Sequence, residues 1–419
     1  MVNKEVSQTP EKARGFFYGH FVVIVAFFIM LVGYGLYTVF GVFFDPLINE
    51  FDWTRATTSG AFSISMILSG VLGVVMGGLN DRFGPRIVLT VCGCFVGIGF
   101  LLMSQVDSVW QLYLFYGVII GIGISGIWVP LLSSVARWFV KRRSLMTGIV
   151  IAGTGIGGLI WPPVVIRLIS NYDWRVSYII LGVVILFVVV VASQFMRRDP
   201  GQKGQLPYGE GKAKETGLKL EAEGFSLREA ALTNQFWLVL IMFFCFGFAL
   251  FAYMVHIVPH AIELGISPVN ASNVLATMGG MTVIGNFVLG NIGDRIGNRQ
   301  LFIIGFVLWA VLLFCLVRAS EMWMLYVIAV VFGFIHGGMG ASESPIVARV
   351  FGLRSHGLIF GVMGLGFTFG AAAGPYVMGY IFDVTGSYYI AFGVCAAISV
   401  IGLILSVILR PTKRLGIKL

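Results

Sequence analysis

Charged residues are scarce in this chain of 419 residues. Asp, Glu, Lys and Arg make up 11% of it, whereas hydrophobic residues make up 58%. A soluble globular protein usually carries about a quarter charged residues, so this composition excludes an ordinary soluble domain and predicts a polytopic membrane protein. The 28 basic residues outnumber the 19 acidic ones. They are scattered over many loops, which argues against a nucleic-acid-binding surface.

Other chemical signatures are missing as well. The five cysteines all fall inside apolar stretches, so neither a disulfide framework nor a zinc spacing is indicated. The sequence has no GxxxxGK loop for ATP, and no paired carboxylates, nucleophile triad or metal cluster at membrane depth. We therefore expect no enzyme, no cofactor, no metal site and no ATP-driven pump.

Twelve apolar stretches are each long enough to cross a bilayer as a helix, which takes about 20 residues. Of the 28 basic residues, 24 fall in one set of loops and the chain ends, against 4 in the other set, which predicts both termini in the cytoplasm. Because residues 1–17 contain no separate cleavable segment, the first span is expected to be a retained signal anchor. The spans are predicted at approximately 18–44, 57–79, 87–105, 111–136, 145–168, 175–196, 235–262, 269–292, 300–318, 323–348, 357–382 and 388–409.

The one long polar segment follows the sixth predicted span, halfway along the chain. Its composition is typical of a linker. We therefore expect a cytoplasmic tail at 1–17, a six-helix bundle at 18–196, a cytoplasmic linker at 197–234, a second bundle at 235–409 and a cytoplasmic tail at 410–419.

The two halves repeat each other in register. The motif at 77–86, GGLNDRFGPR, returns 213 residues later at 290–299 as GNIGDRIGNR. Two parallel six-span repeats joined by a linker are the architecture of the major facilitator superfamily, in which the halves rock about a midplane site. The predicted fold is thus an all-α membrane protein with twelve spans in two pseudo-symmetric six-helix bundles. Further matches at the same offset pair Gly148, Gly153, Gly157 and Pro162 with Gly361, Gly366, Gly370 and Pro375, and at an offset of 212 Arg137 and Phe139 match Arg349 and Phe351.

The repeated motif supplies the predicted gating residues, Asp81 with Arg82 and Asp294 with Arg295. Each carboxylate is expected near the start of a neighbouring helix, where free N–H groups and the helix dipole favour negative charge. In the superfamily that the chain resembles, this motif latches the cytoplasmic side. The alternative is a generic charged loop.

Residues 138–153, WFVKRRSLMTGIVIAG, resemble the signature that opens the fifth span in the monocarboxylate transporter family. The first span, with FGVFFDPL at 40–47, is similar to that of bacterial monocarboxylate and oxalate/formate carriers, although His20 stands where the family usually has Trp. This resemblance implies proton-coupled transport of small organic acids. These carriers generally have an Arg in the eighth span, and oxalate carriers add a Lys in the eleventh. Here those positions align with Asn286 and Met363, so an anion must be held differently.

Ionisable groups inside the predicted spans are functional candidates, because a buried charge is costly in a membrane. Glu343 is the acid placed well inside a span, and His336 lies about two helical turns earlier on the same face. Both are candidate proton carriers, and His336 is also a candidate substrate ligand, since it aligns with a pocket aromatic of oxalate carriers. His256 is a further proton-pathway candidate. For all three, an ordinary packing role is the alternative.

The remaining candidates are residues that would line a site for a small acid. Trp128 aligns with an aromatic that contacts substrate in oxalate carriers. Tyr34, Tyr37, Tyr116 and Asn286 are further polar or aromatic candidates for the lining. Facing lipid or a packed helix is the alternative for the aromatic residues.

We therefore predict a proton-coupled secondary transporter of small, monocarboxylic organic acids that works by alternating access. We expect it to act as a monomer in a bacterial-type inner (plasma) membrane, with the acid, protons and the lipid bilayer as its partners. Two alternatives stay open. One is a major facilitator carrier of an amphipathic, zwitterionic or neutral solute, which the missing Arg favours. The other is a non-transporting membrane sensor, which a large soluble output domain would favour.

Overall fold

The structure, a computed structural model, describes residues 17–209, 224–319 and 321–410. Twelve membrane-spanning helices account for most of these residues. Each helix is long and apolar enough to cross a membrane. The predicted all-α architecture with twelve spans is confirmed. In chain order the helices, α1 to α12, are Tyr18–Phe43, Thr57–Phe83, Pro85–Met103, Val109–Trp138, Arg143–Tyr172, Trp174–Phe195, Asn234–Glu263, Val269–Ile296, Asn298–Leu316, Met322–Phe351, His356–Thr385 and Tyr388–Ile408.

Glycines with positive φ make the tight turns between α2 and α3 and between α8 and α9. Gly84 has φ 82° and Gly297 has φ 99°. These angles are disfavoured for side chains with a Cβ, so each turn requires glycine. The two glycines are 213 residues apart. The repeat seen in the sequence therefore encodes the same short turn twice.

The two halves face each other across a pseudo-twofold axis. The Ser344 hydroxyl in α10 donates a hydrogen bond to the Leu132 carbonyl in α4 over 3.2 Å. These residues are 212 positions apart, which is the offset that relates this part of the repeat. Equivalent residues can contact each other directly only where the symmetry axis passes between them. The axis thus lies between α4 and α10.

Glycines in α5 and α11 serve two kinds of close contact. A Cβ at Gly153 would collide with the Phe27 carbonyl oxygen of α1, and a Cβ at Gly366 would collide with its equivalent, the Leu240 carbonyl oxygen of α7. These contacts lie within one half. A Cβ at Gly148, nearer the start of α5, would instead collide with the Asn286 carbonyl oxygen of the other half. Static packing and the interface between halves therefore both depend on small residues.

The central linker is described at both of its ends, and each end lies against the loop after the fourth helix of its own half. The Tyr208 carbonyl accepts hydrogen bonds from the amides of Val140 and Lys141, and the Phe225 amide donates to the Phe351 carbonyl. We call the face of the protein that carries these segments the linker side, and the opposite face the far side. Residues 210–223 of the predicted linker, and the predicted tails apart from Phe17 and Arg410, lie outside the described residues.

The contacts identified between the halves lie on the linker side of the bundles. Along α2 and α11 they run from Gly77 beside Gly357 to Gly70 beside Thr368. Along α5 and α8 they run from Gly290 beside Ser144 and Leu145 to Gly155 beside Val283. Farther along, at Gly158, Gly279 and Gly280, a Cβ would have no neighbour within 4 Å. The identified contacts between the halves thus run from the linker side to about the middle of these helices.

An ion-pair cluster joins three loops of the first half on the far side. Arg175 Nη2 lies 2.5 Å from Glu50 Oε1, and the Trp174 indole donates to Glu50 Oε2 over 2.6 Å. Arg175 also donates to the carbonyls of Ser104 and Val106. Partial burial alone raises the pKa of Glu50, but the hydrogen bonds from Trp174 and Arg175 and the Arg175 charge lower it below the ordinary value.

Replacing Glu50 with Gln tests this cluster. A carboxyl group with a lowered folded-state pKa stabilises the fold above its unfolded-state pKa, and the contribution disappears as pH falls through the folded value. Since the pair is half-exposed, we expect a loss below about 1 kcal/mol at pH 7. Thermal unfolding in detergent should show a difference between wild type and Glu50→Gln at pH 7 that shrinks near pH 4.

The control variant is Glu263→Gln, an exposed acid on the same side. It should unfold like wild type at pH 7. A Glu50→Gln difference that is as large at pH 4 as at pH 7 would contradict the ionic contribution.

Candidate functional site

Two carboxylates cross from one half of the protein to the other on the linker side. Asp81, in the last turn of α2, accepts hydrogen bonds from the amides of Gly357 (3.2 Å) and Leu358 (3.0 Å) at the start of α11. Asp294, in the last turn of α8, accepts from the amides of Ser144 (2.8 Å) and Leu145 (2.9 Å) at the start of α5. Free N–H groups and the helix dipole favour a negative charge at such a position.

This double contact, which we call the latch, obeys the sequence repeat atom by atom. Asp81 and Asp294 are 213 residues apart, and so are the amides that each of them binds. The predicted gating aspartates therefore lie where the motif placed them, near the start of a neighbouring helix. Their role in gating stays a prediction.

The cation of the latch on the α2 side is Arg137, which the sequence reasoning did not select. Its Nη2 lies 2.8 Å from Asp81 Oδ1, and its Nη1 lies 3.5 Å from Asp199 Oδ1 in the linker. Its side chain is only 8% exposed. The repeat of Arg137 at Arg349 was the available signal.

The predicted partners Arg82 and Arg295 are placed differently. Both are exposed. The Arg82 guanidinium lies 5.1 Å from the centre of the Phe83 ring, and Arg295 lines a groove at the surface. Within the described ranges neither arginine forms an ion pair.

Beyond the latch, toward the far side, residues of both halves meet around Glu343. This acid of α10 is 8% exposed. Trp128, in α4, and Tyr34, in α1, lie near its carboxyl group. The rings of Tyr34 and Trp128 are 5.3 Å apart. An acid from the second half thus lies against two aromatic side chains from the first.

Irregular helix geometry brings these aromatics together. Tyr34 ends a π-helical turn at Met30–Tyr34 within α1. Trp128 restarts a regular helix in α4 after a break at Gly126, where a Cβ would collide with Cys92 Sγ. Such breaks are frequent at functional sites. The sequence shows the glycine but not the π turn.

Tyr37 and Tyr116 lie behind this cluster rather than on its surface. They are 3% and 1% exposed. The Tyr116 hydroxyl donates to the Tyr37 carbonyl over 2.8 Å, and Ser65 donates to the Tyr37 hydroxyl over 3.3 Å. The Tyr37 ring is 5.7 Å from that of Tyr34. In this conformation the two tyrosines support Tyr34 from within the first half.

His336 lies on α10, and its side chain contacts other helices of the second half. Its Nδ1 is 3.2 Å from the Thr282 hydroxyl, which itself donates to the Met278 carbonyl. A hydroxyl has one proton, so Nδ1 is assigned as the donor and Nε2 is left as an acceptor. The rings of Phe246 and Trp309 lie 6.0 and 6.4 Å away. His336 is partly exposed, and among the described residues its hydrogen bond is to Thr282 and not to Glu343.

Asn286 and His256 are both held in helix packing. Asn286 is 2% exposed, lies against Gly148 between α8 and α5, and its Oδ1 has no hydrogen-bond partner among the described residues. His256 Nε2 lies 2.9 Å from the Pro375 carbonyl, so it is the donor nitrogen, and Nδ1 accepts from the Tyr388 hydroxyl at 3.0 Å. This placement fits the packing alternative for His256. Its place in a proton pathway stays a prediction.

Comparison with known proteins gives the same architecture. The model of the Major Facilitator Superfamily matches residues 24–283 and 257–418. Human monocarboxylate transporter 7 is 25% identical over 94% of this chain and 87% of its own, and rat monocarboxylate transporter 13 is 27% identical over 92% and 87%. The uncharacterized MFS-type transporter YhjX of Escherichia coli K12 is 26% identical over 74% and 76%.

Solved structures support the fold. The transporter FucP, crystallised in the outward conformation, matches with a TM-score of 0.74 at 13% identity over 93% of this chain and 98% of its own. The human organic anion transporter MFSD10 matches with a TM-score of 0.72 at 13% identity over 93% and 99%. At these identities the likeness shows the fold alone.

Replacing Asp81 with Asn tests the latch. The change removes the charge that Arg137 and the start of α11 stabilise, so the state closed on the linker side should lose about 2 kcal/mol, roughly a 30-fold change in the ratio of the two states. Spin labels at Tyr172 and Val269, the far-side ends of α5 and α8, should move closer together. Double electron–electron resonance in a variant without the five native cysteines measures this distance.

Asp107→Asn, which removes an exposed carboxylate on the far side, is the control. It should keep the wild-type distance distribution. An unchanged distribution in Asp81→Asn as well would show that the latch does not hold this state.

Proposed function

Because the chain belongs to the Major Facilitator Superfamily, we propose that it is a proton-coupled secondary transporter of small monocarboxylic acids. It works by alternating access, as a monomer in the inner (plasma) membrane. The similarity to monocarboxylate transporters over most of the chain supports this substrate class. The observation that carries the proposal is Glu343, a buried acid of the second half that lies beside the Trp128 indole of the first.

We infer that the linker side faces the cytoplasm, because 24 of the 28 basic residues belong to this side or to the chain ends. We propose that this conformation is closed to the cytoplasm by the latch and open to the outside. This is the state in which a carrier accepts an external substrate.

The surroundings of Glu343 make it the proposed proton carrier. An ionised carboxylate in a low-dielectric interior is costly unless a cation neutralises it. No cation within the described ranges forms an ion pair with Glu343. Proton uptake removes this cost, because the neutral carboxyl group needs no counter-charge. The Trp128 indole, from the other half, is then the group that senses whether the acid is ionised.

The same geometry couples the proton to a carboxylate substrate. We place the substrate between Trp128, Tyr34 and Glu343, with the Tyr34 hydroxyl as a hydrogen-bond donor. A carboxylate substrate and an ionised Glu343 repel each other in such a site. The anion therefore binds well only when Glu343 carries a proton, and by linkage the proton binds more tightly when the anion is present.

Asn286 favours a second candidate, a carrier for a zwitterionic or neutral solute. It is buried against Gly148 and provides no positive charge where related carriers have an Arg. An ammonium group on the solute would then pair with the ionised Glu343. In this candidate the ammonium group of the solute, and not a proton, compensates the charge of Glu343.

Glu343→Gln tests the proton role. Glutamine keeps the size and the neutral hydrogen bonding of a protonated Glu but cannot release a proton. In proteoliposomes with an inward proton gradient, uptake driven by pH should be abolished, whereas counterflow exchange of substrate should survive. Isotope uptake with and without the gradient measures both activities.

The matched control is Glu321→Gln, the same change at the exposed start of the same helix. It should leave the pH dependence of uptake unchanged. Unaltered pH dependence in Glu343→Gln would remove Glu343 from the mechanism.

The two substrate classes are separated by a binding panel. A ligand that binds the folded protein stabilises it and so raises its unfolding temperature. The gain in the free energy of unfolding is about 2.7 kcal/mol at a ligand concentration 100 times the dissociation constant. We expect L-lactate or pyruvate to stabilise the purified protein more at pH 5.5 than at pH 7.5. Stabilisation by a neutral amino acid alone, greater at the higher pH, would favour the zwitterion carrier.

A further inference from the structure

An open groove lies on the linker side, where α5 of the first half meets α8 of the second. Its volume is about 530 Å³. The apolar part of its lining comes from Leu145, Phe287, Val288 and Ile292, and the last three side chains are 37%, 43% and 36% exposed. An apolar lining of this kind, at the surface of a membrane-spanning bundle, suits contact with acyl chains.

The polar part of the lining consists of Asn291 and two arginines, one from each half. Arg142 immediately precedes α5, and Arg295 lies in the last turn of α8. Both are exposed, and neither forms an ion pair with another described residue. The nearby Asp294 accepts the amides of Ser144 and Leu145. The groove therefore has positive charge beside apolar surface.

The equivalent position on the other side of the pseudo-twofold axis is different. There Arg82 corresponds to Arg295, but Ser355 corresponds to Arg142. Arg82 lies over the Phe83 ring. At these corresponding positions the α5–α8 contact has two cations and the α2–α11 contact has one, so the second arginine is not a consequence of the repeat.

We propose that this groove binds an anionic phospholipid of the cytoplasmic leaflet. The headgroup phosphate lies between Arg142 and Arg295, and the acyl chains lie along Phe287, Val288 and Ile292. Guanidinium groups suit phosphate because they form paired, charge-assisted hydrogen bonds. Basic pockets between spanning helices on the cytoplasmic side are typical sites for such lipids. The assignment to the cytoplasmic leaflet rests on the orientation given under the proposed function.

The lipid would act on the conformational equilibrium. Its phosphate contacts one arginine from each half, so it holds α5 and α8 together on the cytoplasmic side. These two arginines converge while the latch is closed. A ligand that binds one state better shifts the population toward that state. The bound lipid therefore favours the outward-open conformation.

Arg142→Ser tests the site, because it gives the α5–α8 groove the residue found at the equivalent position of the α2–α11 contact. The full-length protein is purified in detergent, and retention of dioleoyl phosphatidylglycerol is measured by native mass spectrometry without substrate. Loss of one arginine should weaken retention about fivefold. Lys141→Ser, a neighbouring exposed cation outside the groove, is the control and should retain the lipid like wild type.

A second variant covers the case in which Arg142→Ser fails to fold. Ser355→Arg adds an arginine opposite Arg82 and should raise the number of tightly retained lipids from one to two. Equal retention in wild type and Arg142→Ser, or no added lipid in Ser355→Arg, would overturn the proposal. Displacement of the lipid by glycerol phosphate at equal concentration would overturn it too, since the site would then bind free phosphate. Retention is measured without transport, so this result is independent of the proposed function.

The conformational effect has its own readout. In nanodiscs of dioleoyl phosphatidylcholine, addition of phosphatidylglycerol should lengthen the distance between labels at Tyr172 and Val269 in the wild type. The same addition should leave Arg142→Ser unchanged. An equal shift in both proteins would mean that bulk membrane charge, and not the groove, changes the conformation.

Discussion

The latch depends on the attraction between a carboxylate and the free N–H groups at the start of a helix. A helix has unpaired N–H groups in its first turn and a partial positive charge there. Asp81 and Asp294 each meet this need for a helix of the opposite half. Each carboxylate and the amides that it binds belong to opposite halves. The interaction therefore stabilises only the state in which the halves are in contact on the linker side. An interaction of this size, on the order of 1–2 kcal/mol per site, can be broken and remade during a transport cycle.

Small residues make this attraction possible, since the carboxylates reach the helix ends only if the backbones nearly touch. A Cβ at Gly77 would collide with the Gly357 carbonyl oxygen, and Gly290 lies against Ser144 and Leu145. The same requirement explains why the motif repeats as a unit of glycines and aspartate rather than as an isolated acid. Larger residues in place of these glycines would hold the helices apart and separate the aspartates from the amides of the opposite half.

Apolar length, basic loops and the internal repeat were sufficient to predict the twelve spans, the two bundles and the position of both latch aspartates. The site was less accessible to sequence reasoning. The π turn that presents Tyr34 and the inward turn of His336 toward Thr282 depend on how neighbouring helices pack, which no local pattern reports. His336 and Glu343 are seven residues apart and do lie on one side of α10. His336, however, contacts Thr282 of the second half, whereas Glu343 lies near Trp128 of the first half. Arg137 was missed because a basic residue at the end of a span is usually taken only as a signal of membrane orientation. Its contact with Asp81 shows that it also belongs to the latch.

Helix α10 connects the proposed proton site to the latch through adjacent contacts. Glu343 precedes Ser344, whose hydroxyl bonds α4 across the symmetry axis and whose carbonyl accepts from His356 Nε2 at 3.1 Å. His356 begins α11, and the next two amides are those that Asp81 binds. A displacement of α10 against α4 therefore strains the residue that positions the start of α11. In the proposed cycle, neutralisation of Glu343 permits such a displacement, because a neutral carboxyl group can move away from the Trp128 indole at a lower cost than a buried carboxylate can. In this cycle, proton binding at Glu343 and release of the latch are two consequences of one movement, with no need for a separate signal between them.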